Sequence, residues 1–438
     1  MNDTIRYIIA AILIFLIIIL QPTYLKWLGY DVAPSSVPLS IESKEFISNN
    51  EQPSVNKKLQ GGGAVFKNKE SFITIVTPLY TATLSNRSGG SFASYTLSNE
   101  LDGSSKYLSG YDNAGIFQKD VPVALIMPSE NYCMPCLASY NDVLEQYDFI
   151  NQPFNLVGPF LNQDTLYLDT GSVVINYSLL NESGDVVISK AVSLSANSYL
   201  SNHTYAVNAN NKIANKSLEL VWDGGLRPTE KKEDEDITYG SVIINQAGEI
   251  EDMQTTDPLE NIKRTIYNGS TNWVSIRTKY FISAIISNVP GSFATMSANN
   301  VLFGNRNHTP LYNASIGYPD NIQNIDTKIY LGPLDVKYMA KANSGLDASM
   351  NWGFAPIRPI SKGVLWFLTF MHNKLNLNYG FVLLLFALLI RLITGPLTKK
   401  SYESSQKMQK IQPQTKKLQE KYKGDPQRLN KETMALYK

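Results

Sequence analysis

The chain has 438 residues, long enough for two or three units, and its net charge is +1. Its two cysteines and three scattered histidines do not compose a four-ligand zinc site, and no G-x-S-x-G, H-E-x-x-H or P-loop is present. The near-neutral charge hides an asymmetry: from Pro396 onward eleven basic residues face four acidic ones, a segment charge of +7 that leaves about −6 for the rest.

The first element is a hydrophobic run, Tyr7 to Leu20. Fourteen residues is short for a span and typical of a signal-peptide core. Cleavage needs paired small residues soon afterwards, and the candidates fail, because Gly29 has Trp27 two before it and Ala33 has Asp31. Beyond Pro22, the side chains of Tyr24, Leu25, Trp27 and Leu28 suit a membrane interface. The expectation is an uncleaved signal anchor within residues 1–30. Residues 31–63 hold Pro34, Pro38, Pro53 and Gly61-Gly62-Gly63, with little periodicity, and read as a flexible linker.

Residues 64–355 change to short β-prone runs. Ser172–Leu180, the turn Asn181–Gly184 and Asp185–Leu194 form a hairpin signature. Similar runs recur at Phe72–Val76, Ala82–Leu84, Leu166–Leu168, Ile237–Ile244, Trp273–Ile286 and Lys328–Leu331. Many short strands with Gly, Asn and Ser turns argue a β-sandwich; the length predicts two extended sheets in one domain. The charge cluster Glu230–Asp236 reads as a solvated loop and lacks the spaced pattern of a calcium loop. Cys133 and Cys136 form a C-x-x-C without a thioredoxin-like βαβ context, so a local disulfide or two inert thiols are expected. His203, His308 and His372 read as structural or surface residues.

In residues 356–376, Ile360, Val364, Phe367, Leu368, Met371 and Leu375 follow 3–4 spacing, accompanied by Arg358, Lys362, His372 and Lys374. The pattern is an amphipathic helix, with Trp366 suited to headgroup depth. It lies on the outer membrane interface or packs on the β-domain; the short connection Asn373–Asn378 favours the interface.

Residues 377–397 contain the apolar run Phe381–Ile393, interrupted only by Arg391. A cation at bilayer depth costs roughly 2.5–3.5 kcal/mol on insertion scales, so it faces a bundle interior or a wet cavity. The alternative is an Arg that snorkels to the headgroups, a role for which Lys399 and Lys400 are better placed. Gly395-Pro396 is able to end or kink the helix. A polar helical hairpin is expected over residues 398–438. Its seam is Met408, Ile411, Thr415, Leu418 and Tyr422 against Leu429, Thr433 and Leu436, the pattern of an antiparallel coiled coil. Asp425 caps the second helix with Pro426 at its first position, and Pro413 predicts a bend or late start in the first. A basic segment directly after a span is cytoplasmic under the positive-inside rule and suits anionic lipid or ribosomal RNA. Two spans would put both termini on that side and the β-domain in the periplasm of a Gram-negative cell.

These residues resemble a known family. Asn378 through Lys399, with Arg391 and Gly395-Pro396, is similar to the first core span of the YidC family of membrane protein insertases. So is the hairpin, through Met408, Gln412-Pro413, Leu418, Asp425, Arg428, Glu432 and Met434 to Lys438. Trp273-Val274, Lys279-Tyr280-Phe281 and Tyr330 to Pro333 resemble that family's periplasmic domain. The resemblance implies a mixed membrane protein: a large all-β periplasmic supersandwich between two transmembrane helices, followed by a cytoplasmic helical hairpin. It implies location in the inner membrane and a hydrophilic groove lined by Arg391. It implies as partners nascent membrane proteins, the Sec translocon, the lipid bilayer and, through the hairpin, the ribosome and the targeting receptor. No catalytic residue, cofactor, metal or DNA partner is implied. The family continues into further core spans where this sequence stops at Lys438, so either the sequence is a fragment, which a hairpin that does not return to the membrane favours, or the protein does not insert substrates alone.

The groove has a physical rationale of its own. Water and a fixed cation inside the bilayer lower the desolvation cost of moving a polar segment across. Arg suits the place because it stays charged and carries five donors. Two other functions compete. A membrane-anchored carbohydrate-binding or carbohydrate-active protein would cluster carboxylates and a His in one pocket. A structural tether would find Arg391 dispensable.

Overall fold

Alternating inward and outward side chains build the most regular part of the domain. Ile175, Tyr177 and Leu179 of Ser172–Leu180 are buried, as are Ile188, Lys190, Val192 and Leu194 of its partner Val186–Ser195. Leu200–Val207 continues the face with Ser201, His203 and Tyr205. In the hairpin turn the Asp185 N–H donates to Asn181 Oδ1 at 2.8 Å. Gly184 supplies the φ of +88° that closes it.

The computed structural model describes residues 69–98, 107–129, 132–161, 163–208, 217–255, 261–320, 322–353 and 356–437. The anchor expected at 1–30 and the linker expected at 31–63 lie outside the described residues.

Among the described residues a thirteen-stranded sheet dominates. Its centre is the 23-residue strand Phe281–Phe303, which pairs with Ile262–Arg277, Arg306–Gly317 and Asn324–Pro333. A second sheet has four strands in the order Ser91–Leu97, Tyr80–Ser85, Phe72–Val76, Thr165–Tyr167. Its last pair is parallel, unlike the other strand pairings among the described residues. Tyr80 and Tyr95 stack at 4.7 Å in the core between the sheets, and Phe92 reaches Trp222 of the large sheet at 6.4 Å. The domain is thus a mostly-β sandwich. Two extended sheets were the expectation; one is extended and the other small. The cause is the long central strand, which gathers three partners into one branched sheet.

Three local expectations change. The run Ile237–Ile244 divides into helix α1 (Glu233–Tyr239) and the strand Ser241–Gln246. Four carboxylates in the first turn of α1 favour that helix through its dipole. The charge cluster is therefore no solvated loop: Asp236 is buried with Oδ2 3.0 Å from Arg306, and Lys279 bridges Glu230 and Glu235 at 3.7 and 2.9 Å. Burial outweighs Arg306 and pushes the Asp236 carboxyl up to about 7. The run Trp273–Ile286 is broken by a turn in which the Thr278 N–H donates to the Phe281 carbonyl at 2.8 Å. Cys133 and Cys136 form a disulfide, fully buried beside Val221.

The helical region follows the sandwich. After the short helix α2 (Val336–Met339) come α3 (Arg358–Leu375), α4 (Tyr379–Lys421) and α5 (Pro426–Tyr437). The expected boundary between span and hairpin at 397/398 is absent. Helix α4 is one 43-residue helix through Pro396 and Pro413, about 65 Å long. The turn to α5 is closed by Asp425, whose Oδ1 accepts the Arg428 N–H at 3.1 Å, with Pro426 the first helical residue. Ile411, Thr415, Leu418 and Tyr422 are half-buried, as are Leu429, Thr433 and Leu436 across the turn. Met408, expected in the seam, is 53% exposed.

Candidate functional site

Among the described residues, Tyr379–Pro396 is the helical segment long and apolar enough to cross a bilayer. Eighteen residues rise about 27 Å, close to the hydrocarbon thickness of ~30 Å. Asn378 starts the segment as N-cap, its Oδ1 accepting the Gly380 N–H at 2.9 Å. Most of its side chains are uncovered: Leu384 is 68% and Leu392 67% exposed. An apolar surface of that extent needs lipid or a partner.

Arg391 lies twelve residues along the helix from Tyr379, about 18 Å below the start. Lys399 and Lys400 follow about 12 Å further on. Arg391 is exposed, and among the described residues no ion-pair or hydrogen-bond partner meets it. Helix geometry separates its faces. Phe386 sits about 140° around the helix from Arg391, and Val382 about 180°. Phe386 meets the Phe367 ring of α3 at 5.8 Å, and Val382 is buried. Helix α3 therefore covers the side of α4 turned away from Arg391.

On the Arg391 side the sequence continues with Thr394, Gly395 and Thr398, at three, four and seven residues. The hydroxyls of Thr394 and Thr398 donate back to the Ile390 and Thr394 carbonyls at 2.8 and 2.9 Å. Pro396 has no N–H, so the Leu392 carbonyl lacks its usual helical donor. The strip below Arg391 is small and polar. The signal for it in the sequence is the i+3, i+4 and i+7 spacing of Thr394, Gly395 and Thr398 from Arg391.

Helix α3 sets the corner. Asn376 ends it in the left-handed region at φ 52°, the Leu377 carbonyl lies 2.9 Å from His372 Nδ1, and the His372 ring stacks on Tyr379 at 4.0 Å. Its start is tied to the sandwich by Lys362–Asp347 at 3.2 Å and by Ser361 Oγ, which donates to the Trp352 carbonyl at 3.2 Å. The ion pair is solvent-exposed and stabilises by at most about 1 kcal/mol.

The carbohydrate-active alternative asks for carboxylates and a His in one pocket. Glu230, Asp335, Asp347 and His372 do line one cavity between α3 and the sandwich. Each is committed elsewhere: Glu230 to Lys279, Asp347 to Lys362, Asp335 to the Lys337 N–H that it caps, and His372 to Leu377. His203 is buried against Ser201 at 2.9 Å, and His308 meets Asn300 at 3.2 Å.

A β-sandwich joined to an uncovered apolar helix of bilayer length defines a membrane-bound protein with a large extramembrane domain. Residues 140–367 match the family model "YidC periplasmic domain", and residues 370–438 match "60Kd inner membrane protein". The chain belongs to the YidC family of inner-membrane proteins, whose large domain is periplasmic. Among its relatives, the membrane protein insertase YidC of Prosthecochloris aestuarii is 26% identical over 98% of this chain and 71% of its own length. That of Chlorobaculum tepidum is 27% identical over 84% of this chain and 60% of its own. For Chlorobium phaeovibrioides the identity is 30%, over 63% of this chain and 48% of the relative. The chain thus spans between about half and seven-tenths of these relatives' lengths.

Proposed function

We propose that this chain serves in membrane protein insertion, with Arg391 on the wall of a hydrophilic groove inside the bilayer. The single observation that carries this is the orientation of Arg391. It faces away from α3, above the small polar strip Thr394-Gly395-Thr398, on a side of α4 left uncovered by the described residues. A guanidinium facing lipid there would carry the cost of a membrane cation. Facing a groove closed by further helices, from the same polypeptide or a partner, it stays hydrated. A polar segment of a nascent protein would enter transiently, and its apolar segment would slide into lipid along the outside. No bond changes in this step, so the reading asks for no nucleophile, cofactor or metal.

The topology proposed with it has an anchor within residues 1–30, the sandwich in the periplasm, and the α4–α5 hairpin in the cytoplasm. The +7 charge beyond Pro396 supports that orientation. The cationic hairpin faces suit recruitment of ribosomes or the targeting receptor, and the Sec translocon is a partner in the membrane. Relatives named membrane protein insertase support the activity.

Substitution of Arg391 tests the reading in an insertion assay with the whole protein. Arg391→Lys keeps the charge and should retain most activity. Arg391→Ala should slow substrates with acidic translocated segments most, by about tenfold if ~1.4 kcal/mol of counter-charge is lost. Full activity of Arg391→Ala on every substrate, at wild-type abundance, would return the chain to a tether.

A further inference from the structure

Between α3 and the underside of the sandwich lies a cavity of about 1410 Å³. That exceeds the ~300–1,000 Å³ of common small-ligand sites. Its helix wall is one face of α3, with Lys362, Leu365, Trp366, Thr369, His372 and Asn373 at 3–4 spacing. The facing wall includes Tyr280, Phe281, Leu334 and Lys337. Tyr379, where the membrane segment begins, also lines it. If the span starts at Tyr379, this cavity opens at the depth of the outer headgroups. The inference rests on that membrane placement and does not depend on the groove.

We propose that this cavity is a binding site for the headgroup of a zwitterionic aminophospholipid. The lining carries both signs of charge in near balance, with Lys337 and Lys362 against Glu230, Asp335 and Asp347. A zwitterion matches such a wall, whereas an anionic headgroup would meet more carboxylates than ammonium groups. Lys337 is exposed and supplies donors for a phosphate. Trp366, 65% exposed, stacks on Phe370 with one face and leaves the other to attract a headgroup cation, whereas the Tyr280 ring already holds Lys279 Nζ at 4.8 Å from its centroid.

His372 gives the site its choice among amines. The Leu377 carbonyl accepts only, so Nδ1–H donates to it, and in the tautomer whose single proton sits on Nδ1 the other nitrogen, Nε2, is an acceptor. A primary ammonium has hydrogens to donate to Nε2 and to the second carboxylate oxygens. A quaternary ammonium has none. Ethanolamine lipid should therefore bind better than choline lipid of equal charge. The volume leaves room for the glycerol and the first methylenes, which Leu334, Leu365 and Phe281 would contact.

The full chain, purified in mild detergent, would be titrated with phosphatidylethanolamine, phosphatidylcholine or phosphatidylglycerol and its lipid adducts counted by native mass spectrometry. Ethanolamine-lipid adducts should exceed the other two by about fivefold, the change expected for one net hydrogen bond. His372→Phe, which keeps a ring to stack on Tyr379, should erase the preference over choline lipid. Trp366→Ala, on an exposed side chain, should lower ethanolamine-lipid binding with the circular dichroism unchanged. Equal adducts with all three lipids, a preference untouched by both variants, or a polypeptide adduct in place of lipid would each overturn the site. A chain that fails to partition into membranes at all would instead remove the membrane placement beneath it.

Discussion

Lys190 sits in the middle of an aromatic row, with Tyr177 on one neighbouring strand and Tyr205 on the other. It is 1% exposed, its amine donating to the Ser88 carbonyl at 3.1 Å and lying 4.8 Å from the Tyr205 ring centroid. No described carboxylate pairs with it, and burial pushes its pKa down to about 7. His203, on the next row, is held well below its ordinary value by burial and then by Lys190. The sign of the pH effect follows from linkage. Between about pH 7 and the unfolded value of ~10.4, the unfolded chain holds a proton that the folded chain has lost, so stability rises with pH there. Below that window both states are protonated and the full cost of the buried charge is present. Lys190→Met should therefore stabilise the sandwich by roughly 3–5 kcal/mol more at pH 6 than at pH 10. Urea unfolding of the full chain at the two pH values measures this; an equal gain at both would mean that the amine stays charged when folded. Strand alternation placed Lys190 inward, between Ile188 and Val192, so its burial was readable. Its company was not, because Ser88 is 102 residues away in sequence.

At the scale of elements, the 3–4 spacing located the half-buried contact between α4 and α5 from Ile411 to Leu436 but not where it begins, since Met408 is 53% exposed. The continuity of α4 was not legible. An interior proline removes one hydrogen bond and costs ~3 kcal/mol, which made Gly395-Pro396 look like an end. The helix runs through Pro396 even though Thr394, Gly395 and Thr398 beside it are weak helix formers, because each proline removes a single interior hydrogen bond from a 43-residue helix. In the sandwich the reverse occurred. The run Trp273–Ile286 hides a turn at Thr278–Phe281 that lacks Gly, Pro or Asn and is held by Thr278 instead. The long strands around it carry register shifts near Thr271 that interrupt the period-two pattern. The seam yields a direct expectation. Leu418→Glu should loosen α5 from α4 by ~1–2 kcal/mol, whereas Met408→Glu, 53% exposed, should change nothing. Distance distributions between spin labels on the two helices would broaden in the first variant only. Equal broadening in both would mean that the seam does not hold the hairpin.

For the whole molecule, the sandwich and the helical region divide the work. The last strand of the large sheet in chain order, Asn324–Pro333, leads into the short turns that tie to α3, and α3 in turn covers one side of α4. That packing fixes which side of α4 is left for other contacts, and it is the Arg391 side. Composition marks Tyr379–Pro396 as the apolar segment of bilayer length, and the +7 charge beyond it carries the proposed orientation. They said nothing of which side of the helix is covered, because that depends on α3 turning back at Asn376. Photocrosslinking resolved by helix face tests the proposed groove most directly. A photoreactive residue placed singly at positions 388, 394, 395 and 398 of the whole protein samples the Arg391 side, and positions 382 and 386 sample the covered side. With a stalled nascent membrane protein, crosslinks are predicted from the first set and not from the second. Crosslinks of equal yield from both sides, or none from the Arg391 side, would contradict the groove.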